Sequence, residues 1–200
     1  MKPICLEGAS AVGKSTTSSV LASEFGFKVI PEVNLMFERP PNESKFWYLE
    51  KQIERIHLAA EYESKSHNVI LDGDPFQPIW YNNIFEGFQP VGEVIEFYKR
   101  ELSNTNLSMP IYCVLVAELE DLKKRKEGDR DRQRRNFEKH LSMVSPQKHY
   151  FENISSFTAV NVISAKAIDT NVQAIRSLSL RSEVASIDFF LDEVQRYVQV

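Results

Sequence analysis

The run Gly8-Ala9-Ser10-Ala11-Val12-Gly13-Lys14-Ser15 matches the spacing G-x-x-x-x-G-K-[ST] without a departure. A loop of this kind can wrap a phosphate chain. Its glycines let backbone N–H groups turn inward, and the helix that follows offers the positive end of its dipole. Lys14 is placed to bridge β- and γ-phosphates, and the Ser15 hydroxyl to ligate Mg²⁺. Thr16, one position further on, reaches toward an α-phosphate. The expected nucleotide contacts are therefore Gly8, Ala11, Val12, Gly13, Lys14, Ser15 and Thr16.

Three carboxylates stand where short apolar runs end. Glu32 follows Phe27 to Ile30 and Pro31, and it can serve as general base for an acceptor hydroxyl. Asp72 and Asp74 follow Val69-Ile70-Leu71. Asp72, at the end of that run, is the expected magnesium carboxylate, and Asp74 is expected to face the acceptor. The same Asp72-Gly73-Asp74-Pro75 run is also ordinary turn chemistry. Between Lys123 and Arg135 lie eight basic and three acidic residues, five of the basic ones arginine. Arginine forks onto phosphate oxygens in a way lysine does not, which favours a phosphate-clamping lid over about 123–137, a segment that includes Arg125, Arg130 and Arg132. A solvated charged helix face and a nucleic-acid patch are the other readings of this segment. Aromatic residues cluster on either side of the third apolar run, and Trp47, Gln52 and Phe76 are candidates to hold a planar heterocycle. His57, His67, His140 and His149 have no metal-ligand spacing and read as structural or surface residues.

These groups need elements to hold them. Pro3 to Glu7, Phe27 to Ile30, Val69 to Leu71, Ile111 to Val116 and Phe157 to Ile163 read as five short strands. Gly13 to Phe25 is helical, with Gly26 as its C-cap. Leu49, Ile53, Ile56 and Ala60 form one face of a long helix. Short apolar strands alternating with helices imply a parallel sheet covered on both faces, a three-layer α/β/α domain spanning 1–200. Ligands of such sheets gather at the carboxyl ends of the strands, where the glycine loop, Glu32 and the Asp72 turn all fall. Val184, Ile187, Leu191, Val194 and Val198 form an amphipathic stripe on a last helix over about 183–198, which either packs on the domain or forms a homodimer contact.

Composition excludes more than it names. The chain has 200 residues, is 42% hydrophobic and 26% charged, and carries net −4, which fits one globular domain and not a disordered or fibrous chain. No apolar run approaches the roughly 20 residues of a membrane span. The mild acidity argues against nucleic acid or anionic membrane as partner. Two cysteines make no disulfide framework, and the few residues before Gly8 are too short for a signal peptide, so a cytoplasmic protein is expected. Cys5 and Cys113, inside apolar strands, read as inert buried thiols. The net charge hides an uneven distribution, since Lys123 to Arg135 hold +5 and the remainder −9. That pattern suits a small polyphosphate on an otherwise acidic domain.

The glycine loop, Glu32 after the second strand, the acidic turn after the third and the arginine-rich segment after the fourth together resemble the P-loop nucleoside and nucleotide kinases. The order of features is most similar to the deoxynucleoside kinase and thymidylate kinase branch. Trp47 and Gln52, five apart, resemble the Trp-x-x-x-x-Gln by which deoxynucleoside kinases hold the nucleobase. The resemblance implies a P-loop fold, ATP and Mg²⁺ as cofactors, a small-molecule phosphoryl acceptor, and Glu32 in the place of the family's general base. It also implies that the strands of Cys5 and Cys113 are neighbours. One departure is plain: the family's usual Glu-Arg-Ser after the third strand is replaced by Asp72-Gly73-Asp74, with no arginine.

Overall fold

The computed structural model describes residues 2–85, 87–128, 137–178 and 184–198. In chain order the elements are β1 (Ile4–Gly8), α1 (Lys14–Phe25), β2 (Lys28–Ile30), α2 (Val33–Met36), α3 (Trp47–Ser64), β3 (Val69–Asp72), α4 (Gln77–Ile84) and α5 (Val91–Leu102). They continue with β4 (Ile111–Val116), α6 (Leu119–Gly128), α7 (Phe137–Ser142), α8 (Val144–Ile154), β5 (Val160–Ser164), α9 (Ile168–Leu178) and α10 (Ile187–Val198). The five strands form one parallel sheet in the order β2-β3-β1-β4-β5. The chain runs outward from β1 to β2, returns to β3, then crosses to β4 and β5 on the other side. Connections therefore diverge around β1, and the crevice this leaves at its carboxyl end is where such sheets bind ligands.

Alternation along the strands sorts the apolar side chains into two cores. Cys5, Leu71, Tyr112 and Val114 face α3, α4, α5, α8 and α10. Ile4, Leu6, Ile70, Cys113 and Leu115 face α1 and α9 on the opposite side. Register explains why the two cysteines stay apart on adjacent strands. Cys5 lies opposite Tyr112 and Cys113 opposite Leu6, so their side chains leave the sheet on opposite faces. Both thiols are free and buried, and burial raises the pKa of each.

Most of the expected elements are present, with shifts at their ends. Gly26, in the left-handed region at φ 70°, ends α1. The fifth strand begins at Val160, because Phe157 turns away from the sheet to pack on Phe190. The buried face of α3 is Leu49, Gln52, Arg55, Ile56 and Ala59, rotated from the expected apolar stripe; Ile53 and Ala60 are only partly buried. The rotation brings two polar side chains under the carboxyl end of β3. Helix α10 packs on α5 through Ile187, Phe190, Leu191 and Val194, and Lys99 Nζ donates to Asp192 and Gln195 across the seam. No helix among the described residues is long and apolar enough to cross a membrane.

Candidate active site

The loop between β1 and α1 takes the shape its glycines permit. Gly8 sits at φ 139°, and a Cβ there would overlap the Leu115 carbonyl oxygen of β4, so only glycine lets the strand end pass so close. Ala11 and Gly13 also lie at positive φ, 69° and 107°. Lys14 Nζ folds back over the loop and donates to the Gly8 carbonyl at 2.6 Å. The first turn of α1 carries no acidic residue, so nothing on the helix competes with an anion at its N-terminus. Thr16 is exposed at the outer side of this turn, and Val12 is buried beneath the loop.

Arg125 occupies a different place from the one expected of a lid arginine. It reaches from α6 to the rear of the loop, where Nη1 donates to the Val12 carbonyl at 3.0 Å and Nη2 to the Ala165 carbonyl at 3.1 Å. The guanidinium therefore braces the β1–α1 loop against the segment after β5. Arg130 and Arg132 lie outside the described residues.

A cleft of about 600 Å³ opens at the carboxyl edge of the sheet, and its lining includes Gly8, Lys14, Glu32, Tyr48, Gln52 and Asp74. Glu32 is the exposed N-cap residue of α2, and its side chain lies directly on Gly73. A Cβ at position 73, with φ 81°, would stand 3.2 Å from Glu32 Cγ, so the turn's glycine admits the glutamate. Asp72 is buried and pairs in register with Leu6. Two residues beyond Ile70, it leaves β3 on the α1 side of the sheet, the side of Ser15. A carboxylate and a hydroxyl are hard oxygen donors that suit Mg²⁺, which is held by one or two protein ligands plus phosphates and water. Among the described residues there is no group of three or more His, Cys, Asp or Glu that could hold a metal by themselves.

Of the other expected site residues, Asp74 and Gln52 line the cleft and Trp47 and Phe76 do not. The Asp74 carboxylate lines the cleft, but its oxygens are already engaged by the protein: it accepts from Phe76 N at 2.9 Å, Tyr112 Oη at 3.0 Å and Trp80 Nε1 at 3.1 Å. Burial, with the neighbouring Glu7 charge second, pushes its pKa up to about 7. Phe76 is fully buried against Tyr98 and Phe190, because α4 turns this ring toward the α5 and α10 side of the core. Trp47 is buried beneath the Arg39 guanidinium and does not line the cleft; Tyr48, the next residue, does. Gln52 lines the cleft but is not on a solvated face, being 1% exposed. His140, read from sequence as structural or surface, lines the cleft as well.

Two residues were not singled out by motif. Glu7 is buried at the end of β1, where Oε1 accepts from Gly8 N at 2.9 Å and Gln147 Nε2 at 3.0 Å, while Oε2 accepts from Asp74 N at 2.8 Å. One carboxylate thus ties the β1–α1 loop, the Asp72 turn and α8 together. Its sequence signal was an acid closing an otherwise apolar strand. Arg55, 1% exposed, donates from Nη2 to the carbonyls of Asp72 at 2.7 Å and Gly73 at 3.0 Å. The turn after β3 has no arginine of its own, yet α3 supplies one to it. Its signal was a lone cation three residues after Gln52 on the inward face of α3.

The parallel sheet, the strand order and the phosphate loop define the P-loop fold of nucleoside and nucleotide kinases. Solved structures with this fold include deoxyadenosine kinase from M. mycoides with dCMP and dCDP, at TM-score 0.56 and 17% identity over 88% of this chain and 97% of that one. Thymidylate kinase from Candida albicans matches at TM-score 0.60 and 18% identity, covering 88% and 90% of the two chains. The YorR protein from Bacillus subtilis, in complex with phosphorylated GDP, matches at TM-score 0.57 and 16% identity, covering 88% and 94%. No protein-family model and no curated protein sequence matches the chain.

Proposed function

We propose that this protein is a phosphotransferase that moves the γ-phosphoryl group of ATP, with Mg²⁺, to a hydroxyl or phosphate of a small molecule, a nucleoside or nucleotide first among them. The observation that carries this reading is a cleft in which Lys14 and Gly8 of the phosphate loop face Glu32, Tyr48 and Gln52 across the edge of the sheet. The nucleotides bound by the deoxyadenosine kinase and by YorR support the acceptor class.

In this reading Lys14 leaves the Gly8 carbonyl to meet the β- and γ-phosphates. Glu32 orients the acceptor hydroxyl and takes its proton. Ser15 and Asp72 hold Mg²⁺, which supplies charge neutralisation at the transferring phosphoryl group. Arg125 keeps the loop in shape, and Arg130 and Arg132, outside the described residues, are in this reading the arginines that meet the phosphates. The protein acts in the cytoplasm, a location its two free thiols suit.

The test is transfer from γ-labelled ATP to a panel of nucleosides, nucleoside monophosphates and other small alcohols. Lys14→Ala is expected to abolish transfer with an unchanged far-ultraviolet spectrum. Glu32→Gln is expected to lower kcat by roughly 10²–10⁴ with ATP affinity retained. ATP binding without transfer to any acceptor would refute the reading and point to a regulatory nucleotide-binding module.

A further inference from the structure

Two stretches of the cleft wall come from separate parts of the chain. Tyr81 and Phe88 belong to α4 and the loop after it, and His140 and Met143 to α7 and the residue that caps α8. A side chain outside the cleft joins the two. Lys139, on α7, sets its Nζ 4.3 Å from the ring centre of Phe85, 5.2 Å from that of Tyr81 and 5.7 Å from that of Phe88. The rings are tilted to one another, Tyr81 and Phe85 by 48° and Tyr81 and Phe88 by 82°, so they wall a cup instead of forming a stack. The face of an aromatic ring is electron-rich, and its quadrupole holds an ammonium at such distances. Every other cation–ring contact among the described residues sets one cation on one ring, as with Lys126 on Phe137 and Arg176 on Phe25. Phe88 is 50% exposed, so core packing does not account for its place; as a wall of the cup it has a partner.

We infer that Lys139 is a positioning residue for the acceptor: its ammonium, seated among Tyr81, Phe85 and Phe88, clasps α7 to the end of α4 and so holds His140 and Met143 on the cleft wall. Helix α7 has six residues, too few to keep its shape and place by itself. Phe137 seats it in the core shared with α1 and α9, and Lys139 ties it to α4. The attraction depends on charge. A methionine of similar length packs on the same rings without it, and an arginine retains it. The role toward the acceptor rests on the phosphotransferase reading above, whereas the clasp itself does not.

The clasp is tested first without any reaction. In a two-dimensional 1H–13C spectrum the Lys139 ε-CH2 group is expected upfield of the ordinary lysine position, because three ring faces shield it. The signal is identified by its loss in Lys139→Arg, and Phe85→Leu should move it toward the ordinary position. A Lys139 signal at the ordinary position in the wild type overturns the inference. The role is tested by kinetics with whichever compound of the panel above takes the phosphoryl group. Lys139→Met and Phe85→Leu are each expected to raise the acceptor KM by about threefold to tenfold, with kcat and the KM for ATP within about twofold of wild type. The double variant should raise it no further than the larger single effect, since both changes remove one contact. Lys139→Arg should restore the KM. Neither Lys139 nor Phe85 lines the cleft, so a lost contact with the acceptor cannot mimic this pattern. Should Phe85→Leu be unstable, Lys139→Met, at an exposed position, decides by itself. An unchanged acceptor KM in Lys139→Met, or additive effects in the double variant, overturns the inference and leaves the phosphotransferase reading standing. Transfer to no compound of the panel overturns that reading and the positioning role with it, and the spectrum still reports whether the cup holds the ammonium.

Discussion

Glu7→Gln tests whether one buried carboxylate holds the phosphate loop to the acceptor side. The substitution preserves shape and removes one oxygen. All three groups directed at the Glu7 side chain are donors: the backbone amides of Gly8 and Asp74, and the Gln147 amide nitrogen. A glutamine can place its oxygen toward Asp74 or toward Gly8. In the first case its N–H2 opposes Gly8 N at the 2.9 Å position, and in the second it opposes Asp74 N at the 2.8 Å position. Gln147 can rotate to accommodate either choice; a backbone amide cannot. The variant therefore loses a hydrogen bond to a carboxylate and leaves a buried donor facing a donor, for about 2–3 kcal/mol in all. In a domain of this size that is a fall in Tm of roughly 5–10 °C. The assay is thermal unfolding by circular dichroism, with transfer measured well below the transition. Transfer is expected to fall as well, because Gly8 and Asp74 lose their common anchor. A Tm within about 1 °C of wild type would refute the reasoning, since it would mean the three donors do not depend on this carboxylate.

The other predictions concern single groups. Asp74 has its pKa raised from 3.8 to about 7, so the folded state holds a proton that the unfolded state releases earlier. Its contribution to stability is present below about 3.8 and is lost as pH rises toward 7, by an amount on the order of a few kcal/mol. Asp74→Asn should then lose less stability, relative to wild type, at pH 7.5 than at pH 4; urea unfolding at the two pH values measures the difference. Gly8→Ala forces a side chain onto the Leu115 carbonyl at a strained φ, and is expected to destabilise the fold by about 2 kcal/mol or more and to abolish ATP binding, measured by calorimetry. Cys5 and Cys113 should react with a thiol reagent only as fast as the protein unfolds; rapid reaction of either in native buffer would contradict their burial.

How far the fold and the site could be read from sequence followed the range of the forces involved. The loop from Gly8 to Ser15 works through backbone shape and sequence-local amides, so its residues and spacing carry it directly. The end of α1 at Gly26 and the bounds of β4 are likewise local matters of cap and pattern. The aromatic residues misled, because an apolar ring reads the same whether its helix turns it to a cleft or to the core. Phe76 and Trp47 went inward, and Tyr48 took the place beside the cleft. The acidic turn misled in another way: Asp74 has the right position for an acceptor contact, but Trp80 and Tyr112, from α4 and β4, already engage its oxygens.

A P-loop between a strand and a helix, alternating short strands and helices, and an acidic residue at the ends of two further strands are legible in the order of the residues alone. Folding alone sets Glu7 among the donors of two neighbouring loops, rotates α3 to bury Gln52 and Arg55, and brings Arg55 to the carbonyls of Asp72 and Gly73. The physical reason is that a phosphate loop is built from contiguous backbone. The buried polar network has its partners far apart in sequence, and a polar side chain can stand there only where the folded chain brings every partner to it.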